Sequence, residues 1–223
     1  MAWIHNYQLF LFDFDGLLVN TEELHFIAYK QMLEKRGIPF IWSFERYCKS
    51  AHYSSEKLKN DIFNDYPTLK EQEPSWEILY REKQANMQTL LNSKCVDLMP
   101  GVEYLLNAIQ KAQIKHVVVT HSPSDLITLV KTQHPILSKI PYWITRHDYT
   151  HPKPDPECYN RAIKRFCKPN DRIIGFEDTP RGVSALLATR AEAVLITKIP
   201  YPEIPEFIKK GVKHFESFEF IDG

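Results

Sequence analysis

Three features that would point to particular classes of protein are missing from this sequence. Its four cysteines include no Cys-x-x-Cys pair, so neither a zinc site nor a disulfide framework is predicted and reduced thiols are expected: Cys48, Cys95, Cys158 and Cys167. No apolar run approaches the ~18 residues that a membrane-spanning helix needs. The 28 basic and 28 acidic side chains cancel, which gives no electrostatic basis for nucleic acid or a membrane surface as a partner.

The first residues also lack the pattern of a secretory signal. Residues 1–6 show no basic segment followed by an apolar core and small residues, so a cytoplasmic protein is the expectation.

What the chain does contain is 43% apolar residues over 223 positions. That is enough for a core domain of roughly 150 residues with a smaller insertion. A monomer or a weak homodimer is expected.

Short apolar strands alternate with helical stretches over most of the chain. The first apolar run, 9–12, ends at an Asp-x-Asp-Gly turn. Beyond residue 99 the pattern predicts helices at 101–112, 123–133, 155–166 and 180–189, which alternate with strands at 115–120, 142–145, 172–177 and 193–196. Strands that are apolar throughout are typical of a parallel sheet covered on both faces. The predicted fold class is therefore α/β, with a doubly wound parallel sheet.

Residues 20–95 differ from the rest of the chain. They are polar, rich in helix formers and without a strand pattern. A helix is predicted over 21–36, with Thr21 as its cap and Glu22 and Glu23 in its first turn, where negative charge is favourable. Further helices are predicted at 44–49, 54–64 and 75–91. The sequence thus predicts a helical domain, 20–95, inserted into a core domain made of 1–19 and 96–223.

Polar residues follow the predicted strands at their carboxyl ends, where doubly wound sheets form active sites. The candidates are Asp13, Asp15, Thr120, Lys153, Glu177 and Asp178. Alternate residues of a strand point to opposite faces, so Asp13 and Asp15 can serve one site only if the chain leaves the strand at this point. Gly16 suits such a turn.

These residue types suit phosphoryl transfer. A carboxylate such as Asp13 can attack phosphorus and form an aspartyl-phosphate. A second carboxylic acid, Asp15, can protonate the leaving oxygen and then accept a proton from water. Thr120 can donate to a phosphoryl oxygen, and Lys153 adds a fixed positive charge. Mg²⁺ prefers carboxylate and carbonyl oxygens and neutralises phosphate charge, so it is the expected cofactor.

Four stretches, in order, resemble the motifs of the haloacid dehalogenase superfamily of hydrolases. They are Asp-Phe-Asp-Gly-Leu-Leu-Val-Asn-Thr-Glu from Asp13, Val-Val-Val-Thr-His-Ser-Pro around Thr120, Lys-Pro-Asp-Pro-Glu-Cys-Tyr from Lys153, and Gly-Phe-Glu-Asp-Thr-Pro-Arg-Gly from Gly175. The chain is similar to the branch with a helical cap after the first motif, which includes phosphoglycolate-phosphatase-like enzymes and β-phosphoglucomutase. The resemblance implies a Rossmann-like core and an inserted α-helical cap.

The resemblance also implies roles for the motif residues. Asp13 would be the nucleophile and a Mg²⁺ ligand, and Asp15 the acid and base, with its main-chain carbonyl on the metal. Asp178 would be a further ligand, and Glu177 a ligand or an acceptor for metal-bound water. Dehalogenases of the superfamily lack an aspartate at the position of Asp15, so the resemblance implies phosphoryl chemistry instead of dehalogenation.

Seven residues are expected to contact the substrate: Gly16, His25, Lys49, His52, Tyr53, His121 and Ser122. In the family a histidine at the position of His25 can reach the acid/base aspartate; an ordinary surface histidine is the alternative. Lys49, His52 and Tyr53 fall where the family places a substrate-specificity loop between the second and third cap helices. The arginine that mutases carry in this loop is absent here, which favours hydrolysis.

Three functions follow as hypotheses. The first is a Mg²⁺-dependent phosphatase acting on a small phosphorylated metabolite such as a sugar phosphate. The second is a sugar phosphomutase similar to β-phosphoglucomutase, and the third is a metabolite-binding module without turnover.

One departure from the family concerns structure: the glycine that usually ends the helix after the fourth motif is replaced in the stretch 189–192, which leaves the turn there in question.

Overall fold

A computed structural model describes residues 1–221 of the chain. They form two compact units. One combines Met1–Val19 with the chain from Asp97 onward, and the other is Asn20–Val96. The predicted boundary between them lies one residue earlier, at 95.

The unit 20–96 is entirely helical. Its helices are α1 (Thr21–Glu34), α2 (Phe44–Ala51), α3 (Ser55–Asp65), α4 (Pro67–Gln72) and α5 (Trp76–Ser93). The sequence does not predict α4, which begins at a proline; proline is well tolerated in a first helical turn, where its missing N–H has no partner to lose. Ser43, Ser54 and Ser75 cap α2, α3 and α5 with their hydroxyls.

The start of α1 differs from the prediction. Thr21 is the first helical residue, so Asn20 and not Thr21 occupies the cap position. The Asn20 side chain makes no capping bond to a backbone N–H; its amide instead donates to the Glu23 carboxylate at 2.9 Å. Along α1, buried residues such as Ala28 and Met32 pack chiefly against α5.

The other unit is built on a six-stranded parallel sheet, which confirms the predicted fold class. The strands are β1 (Leu9–Phe12), β2 (Lys115–Val119), β3 (Tyr142–Ile144), β4 (Ile173–Glu177), β5 (Glu192–Ile196) and β6 (Lys213–Phe215), in the order β3-β2-β1-β4-β5-β6. β1 pairs with both β2 and β4. The strand order reverses at β1, and doubly wound sheets bind ligands beside such a reversal.

Helices cover both faces of this sheet. They are α6 (Val102–Lys111), α7 (Ser124–Gln133), α8 (Pro135–Ser138), α9 (Glu157–Phe166), α10 (Pro180–Leu187) and α11 (Ile204–Lys209). The short elements α8, α11 and β6 were not predicted. Among the residues that the structure describes, no helix is both long and apolar enough to span a bilayer.

The alternating side chains of β1 anchor the sheet on both sides. Leu9 and Leu11 belong to the apolar cluster that also includes residues of α9 and α10. Phe10 and Phe12 point to the opposite face, where both rings stack on Phe176 at 6.1 and 5.2 Å between centroids. Because β1 is fully buried, the loop that follows it starts from a rigid support.

Thr189 closes the turn in which the glycine is missing. Its hydroxyl donates to the Leu186 carbonyl at 2.7 Å and accepts from the Ala191 N–H at 3.1 Å. The residues after α10 therefore reach β5 without a left-handed glycine, since a side-chain hydroxyl satisfies backbone groups that the turn exposes.

Candidate active site

The chain leaves β1 immediately before the two aspartates. β1 ends at Phe12, and the Asp13 N–H donates to the Phe176 carbonyl at 3.1 Å. Gly16 then adopts a φ of +73°, and its N–H donates to the Val19 carbonyl at 2.9 Å. Phe14 is fully buried against Trp143. The strand alternation therefore no longer constrains Asp13 and Asp15, and both carboxylates reach polar partners.

Lys153 lies at the centre of the site. Its ammonium contacts the Asp13 carboxylate, lies 2.7 Å from Glu177 Oε1 and donates to the Val119 carbonyl at 3.0 Å. Burial by itself lowers the pKa of Lys153, but the carboxylates of Asp13 and Glu177 raise it well above its ordinary value. The lysine therefore holds a permanent positive charge against the Asp13 carboxylate.

Glu177 is almost completely buried at the end of β4. Its carboxylate accepts from the Tyr159 hydroxyl and pairs with Lys153. Burial raises the pKa of Glu177 to about 7, against the lowering effect of Lys153. Gly182, in the first turn of α10, packs so closely that a Cβ there would overlap the Glu177 carboxylate. The sequence offered Glu177 as a metal ligand or acceptor; the structure adds that it positions Lys153.

Changing Gly182 to alanine is expected to displace Glu177 from Lys153 and Tyr159. We expect the free energy of unfolding to fall by about 1–3 kcal/mol, the usual cost of overpacking, with a parallel loss of activity. Chemical denaturation measures the first effect and phosphate release the second. The control is the same Gly182→Ala change made in a Glu177→Ala protein, which has no carboxylate for the new Cβ to overlap. There Gly182→Ala should lower the free energy of unfolding by less than it does in the wild type. Equal destabilisation in both backgrounds would contradict the assignment.

Three carboxylates converge where the metal is expected. Asp13, Glu177 and Asp178 each place an oxygen within 4.8 Å of the other two. Asp178 is buried at the start of the turn into α10, and Thr179 caps that helix by accepting from the Gly182 N–H at 3.2 Å. A cluster made only of oxygen donors and negative charge fits a hard divalent cation. These residues are thus chemically suited to the ion that the sequence predicts.

Two hydroxyls from the end of β2 hold Asp15. Its Oδ2 accepts from the Ser122 hydroxyl and from the Thr120 hydroxyl, the latter at 3.3 Å. The Ser122 N–H in turn donates to Thr120 Oγ1 at 2.9 Å. Thr120 was expected to donate to a phosphoryl oxygen and Ser122 to contact the substrate. In the structure both hydroxyls orient the carboxyl group of Asp15, a role that sequence reasoning missed.

His121 is exposed beside this pair. Its Nδ1 lies 3.0 Å from the Tyr149 hydroxyl, which donates to the Thr120 carbonyl at 3.1 Å, and the His121 carbonyl accepts from Arg146 Nε at 2.8 Å. Partial burial and the charges of Arg146, Arg181 and Lys153 lower the pKa of His121. Arg146 directly follows the predicted strand 142–145, so its position at a strand end could have marked it. Tyr149 lies further along the chain, and no sequence signal marked it.

A second polar cluster lies within the helical unit. His52 Nε2 is 3.2 Å from Glu22 Oε2, and the Tyr47 hydroxyl donates to the same oxygen at 3.4 Å. His25 Nδ1 is 2.5 Å from the ammonium of Lys83, a buried residue of α5. Burial and Lys83 lower the pKa of His25 to about 4, so His25 is neutral at pH 7 and accepts from Lys83. Lys83 and Glu22 were absent from the predicted substrate-binding set.

Lys49 does not join that cluster. It lies in the last turn of α2, where its ammonium is 2.6 Å from Glu45, one turn earlier. The predicted loop 49–53 is therefore shorter than expected: α2 continues to Ala51, and only residues 52–54 connect it to α3. His52 and Tyr53 remain in this connection. The difference arises because Ala51, a strong helix former, extends α2 past the predicted end at residue 49.

Comparison with known proteins gives the family. The profile of haloacid dehalogenase-like hydrolases matches residues 10–196, so the chain belongs to this family. Within it, the chain is a phosphatase of the branch that contains the phosphoglycolate-phosphatase-like enzymes and β-phosphoglucomutase.

The relatives include a probable pseudouridine-5'-phosphatase of Drosophila melanogaster, 30% identical over 83% of this chain and 80% of its own length. A β-phosphoglucomutase of Bacillus subtilis is 24% identical over 82% of this chain and 80% of its own. The fold is shared with a predicted phosphoglycolate phosphatase from Haemophilus somnus, with a TM-score of 0.75 over 96% of this chain and 95% of that one at 17% identity.

Proposed function

We propose that the protein is a Mg²⁺-dependent phosphatase that hydrolyses a small phosphorylated metabolite, such as a sugar phosphate, through a phosphorylated Asp13. The observation that carries the proposal is the different setting of the two aspartates. Asp13 contacts the ammonium of Lys153, whose pKa is raised well above its ordinary value, so a fixed positive charge lies beside the carboxylate that would attack phosphorus. Asp15, two residues away, is held instead by two neutral hydroxyl donors, and it would exchange a proton first with the leaving oxygen and then with water.

The metal would be held by the carboxylates of Asp13 and Asp178 and by the main-chain carbonyl of Asp15, with Glu177 beside them. The bound ion supplies positive charge that neutralises the phosphate and draws it toward the nucleophile. The clustering of Asp13, Glu177 and Asp178 within 4.8 Å supports this assignment.

The proposed reaction has two displacements at phosphorus. A carboxylate oxygen of Asp13 attacks, the bond from phosphorus to the leaving oxygen breaks, and Asp15 gives that oxygen its proton. Asp15 then takes a proton from water, whose oxygen attacks phosphorus and breaks the bond to Asp13. Inorganic phosphate leaves, and both aspartates return to their starting states. Throughout, Lys153 counters the charge of the transferring group.

The phosphomutase alternative has less support from the structure. A mutase must hold a second phosphate group, and Lys49 was the cation that the sequence offered in the helical domain. That ammonium is paired with Glu45 on the same helix. Residues 52–54 carry no arginine or lysine. Residues 49–54, where the family's mutases are expected to hold the second phosphate, therefore offer no unpaired cation, which supports water as the acceptor of the phosphoryl group.

A phosphate-release screen tests the proposal. We expect release from at least one compound in a panel of sugar phosphates, nucleoside monophosphates and 2-phosphoglycolate in the presence of Mg²⁺. EDTA should lower the rate by about 100-fold or more, and added Mg²⁺ should restore it. Conversion of a hexose 1-phosphate without free phosphate would instead indicate a mutase. Absence of both reactions over the whole panel would contradict catalysis.

A further inference from the structure

Four arginines of the α/β unit reach no carboxylate among the described residues, but Arg165 lies over the Phe166 ring and Arg190 donates to two main-chain carbonyls. Within residues 1–221, Arg36, Arg46, Arg161 and Arg172 each reach a carboxylate within 3.2 Å. Arg146 and Arg181 reach none, although both are exposed and charged. The only hydrogen bond of Arg146 in this part of the chain runs from Nε to the His121 carbonyl, at 2.8 Å. Its two terminal nitrogens remain available to a ligand.

Both arginines lie beside the active site. Arg146 is anchored to His121, the residue that follows Thr120. Arg181 lies in the first turn of α10, three residues after Asp178. The charges of Arg146, Arg181 and Lys153 all act on the imidazole of His121, and the charges of Lys153, Asp13 and Arg146 all act on its neighbour Tyr149. Arg146 follows β3, Asp13 follows β1 and Arg181 follows β4, and these strands lie in the order β3-β2-β1-β4. Both arginines therefore lie along the same carboxyl edge of the sheet as Asp13, in one electrostatic neighbourhood.

The positive charges in this neighbourhood are balanced unequally. Lys153 is already paired with Asp13 and Glu177, whereas Arg146 and Arg181 have no carboxylate partner among the described residues. Arg146 also lies two strands away from Asp13 in the sheet order, at the end of β3. A guanidinium group presents a planar pair of N–H donors that fits a carboxylate or a phosphate, and such bonds are stronger than neutral ones. The excess charge is suited to an anion other than the reacting phosphate.

We propose that Arg146 and Arg181, with His121 between them, form a subsite for a second anionic group of the substrate. The preferred substrates would then be phosphomonoesters that carry a carboxylate or a further phosphate, and not those with a neutral leaving group. This inference rests on the proposed phosphatase activity and specifies the substrate class for it. The subsite belongs to the α/β unit and is separate from the Glu22 cluster of the helical unit.

Steady-state kinetics with three probes test the subsite. The probes are 2-phosphoglycolate, with a carboxylate, fructose 1,6-bisphosphate, with a second phosphate, and p-nitrophenyl phosphate, with neither. In the double variant Arg146→Gln/Arg181→Gln, the kcat/KM ratio of the preferred charged probe to p-nitrophenyl phosphate should fall about tenfold or more. The change should lie mainly in KM, because charge-assisted hydrogen bonds to a non-reacting group are lost.

Arg161→Gln is the matched control. It removes one positive charge from the same unit, but its guanidinium is paired with Glu157, so the ratio should stay within about twofold of the wild type. The subsite is overturned if the double variant leaves the ratio unchanged, or if Arg161→Gln lowers it equally. Wild-type protein that hydrolyses another compound of the panel but neither charged probe overturns the subsite alone. Absence of phosphate release over the whole panel overturns the phosphatase function, and the subsite with it. Which charged probe responds identifies the anion.

Discussion

Replacement of Asp13 by asparagine is expected to reduce phosphate release by about 10³-fold or more, because an amide oxygen is too weak a nucleophile to attack phosphorus. The change also removes a carboxylate from the cluster with Glu177 and Asp178 and one of the two acidic partners of Lys153. Glu177 remains to pair with the lysine, so the variant should fold. Phosphate release in saturating Mg²⁺ measures the effect, and thermal unfolding checks the fold.

Asp125→Asn is the control for this experiment. Asp125 is an exposed residue in the first turn of α7, and its replacement should leave the rate within about twofold of the wild type. If Asp13→Asn retained full activity while folded, the covalent mechanism would be wrong, and another group would have to attack phosphorus.

Replacement of Lys153 by methionine is expected to affect both stability and activity. Methionine fills similar space without charge, so the carboxylates of Asp13 and Glu177 would face each other in a buried site with no cation. Removing one member of a buried ion pair costs about 3–5 kcal/mol, and we expect a loss of that size in the free energy of unfolding measured in EDTA. Turnover in Mg²⁺ should fall by about 100-fold or more, because the positive charge beside the transferring phosphate is lost.

The stability deficit of this variant should depend on pH. Glu177 has a pKa of about 7 in the native protein, raised by burial and held down by Lys153. Without the lysine that pKa rises further. Well below pH 7 the group is protonated in both folded proteins, so its contribution to the deficit is small. Above pH 7 it ionises in the native protein but not in the variant, and the deficit grows.

Unfolding at pH 6 and at pH 8.5, for both proteins, measures this dependence. The control is Lys139→Met, which removes an exposed lysine of the same unit and should change stability by no more than about 0.5 kcal/mol. A Lys153→Met protein as stable as the wild type at pH 8.5 would show that the buried carboxylates do not depend on this cation.

Much of the α/β unit could be predicted because its signals are local. The apolar runs of β1, β2, β4 and β5 each predict a buried strand. Because parallel strands end at the same edge of a sheet, the polar residues that follow these runs are expected to lie at that edge. β6 and α11 were missed because β6 has three residues, none of them fully buried, and Pro200, Pro202 and Pro205 interrupt the stretch before it. A short edge strand leaves no apolar run to detect.

The partners of the candidate catalytic side chains could not be predicted in the same way. Ser122 meets Asp15 across 107 positions of the sequence, and Lys153 meets Asp13 across 140. Tyr159, which donates to Glu177, lies on α9 and looks like an ordinary core residue. The neighbouring sequence does not show whether a buried tyrosine or serine such as Tyr159 or Ser122 contacts a carboxylate of the candidate site or only packs in the core.

The sequence by itself determined the turn that carries Asp13 and Asp15, the parallel sheet that presents it and the resemblance that implies phosphoryl chemistry. These features depend on the spacing of apolar residues along the sequence and on the order of the motifs, and both can be read without knowing the fold. The tertiary structure decided which side chains contact the two aspartates. Lys153, itself paired with Glu177, contacts Asp13, and the hydroxyls of Thr120 and Ser122 donate to Asp15. It also placed Arg146 and Arg181, without carboxylate partners, at the same edge of the sheet. Such contacts join distant residues through packing, and only folding brings them within hydrogen-bond distance.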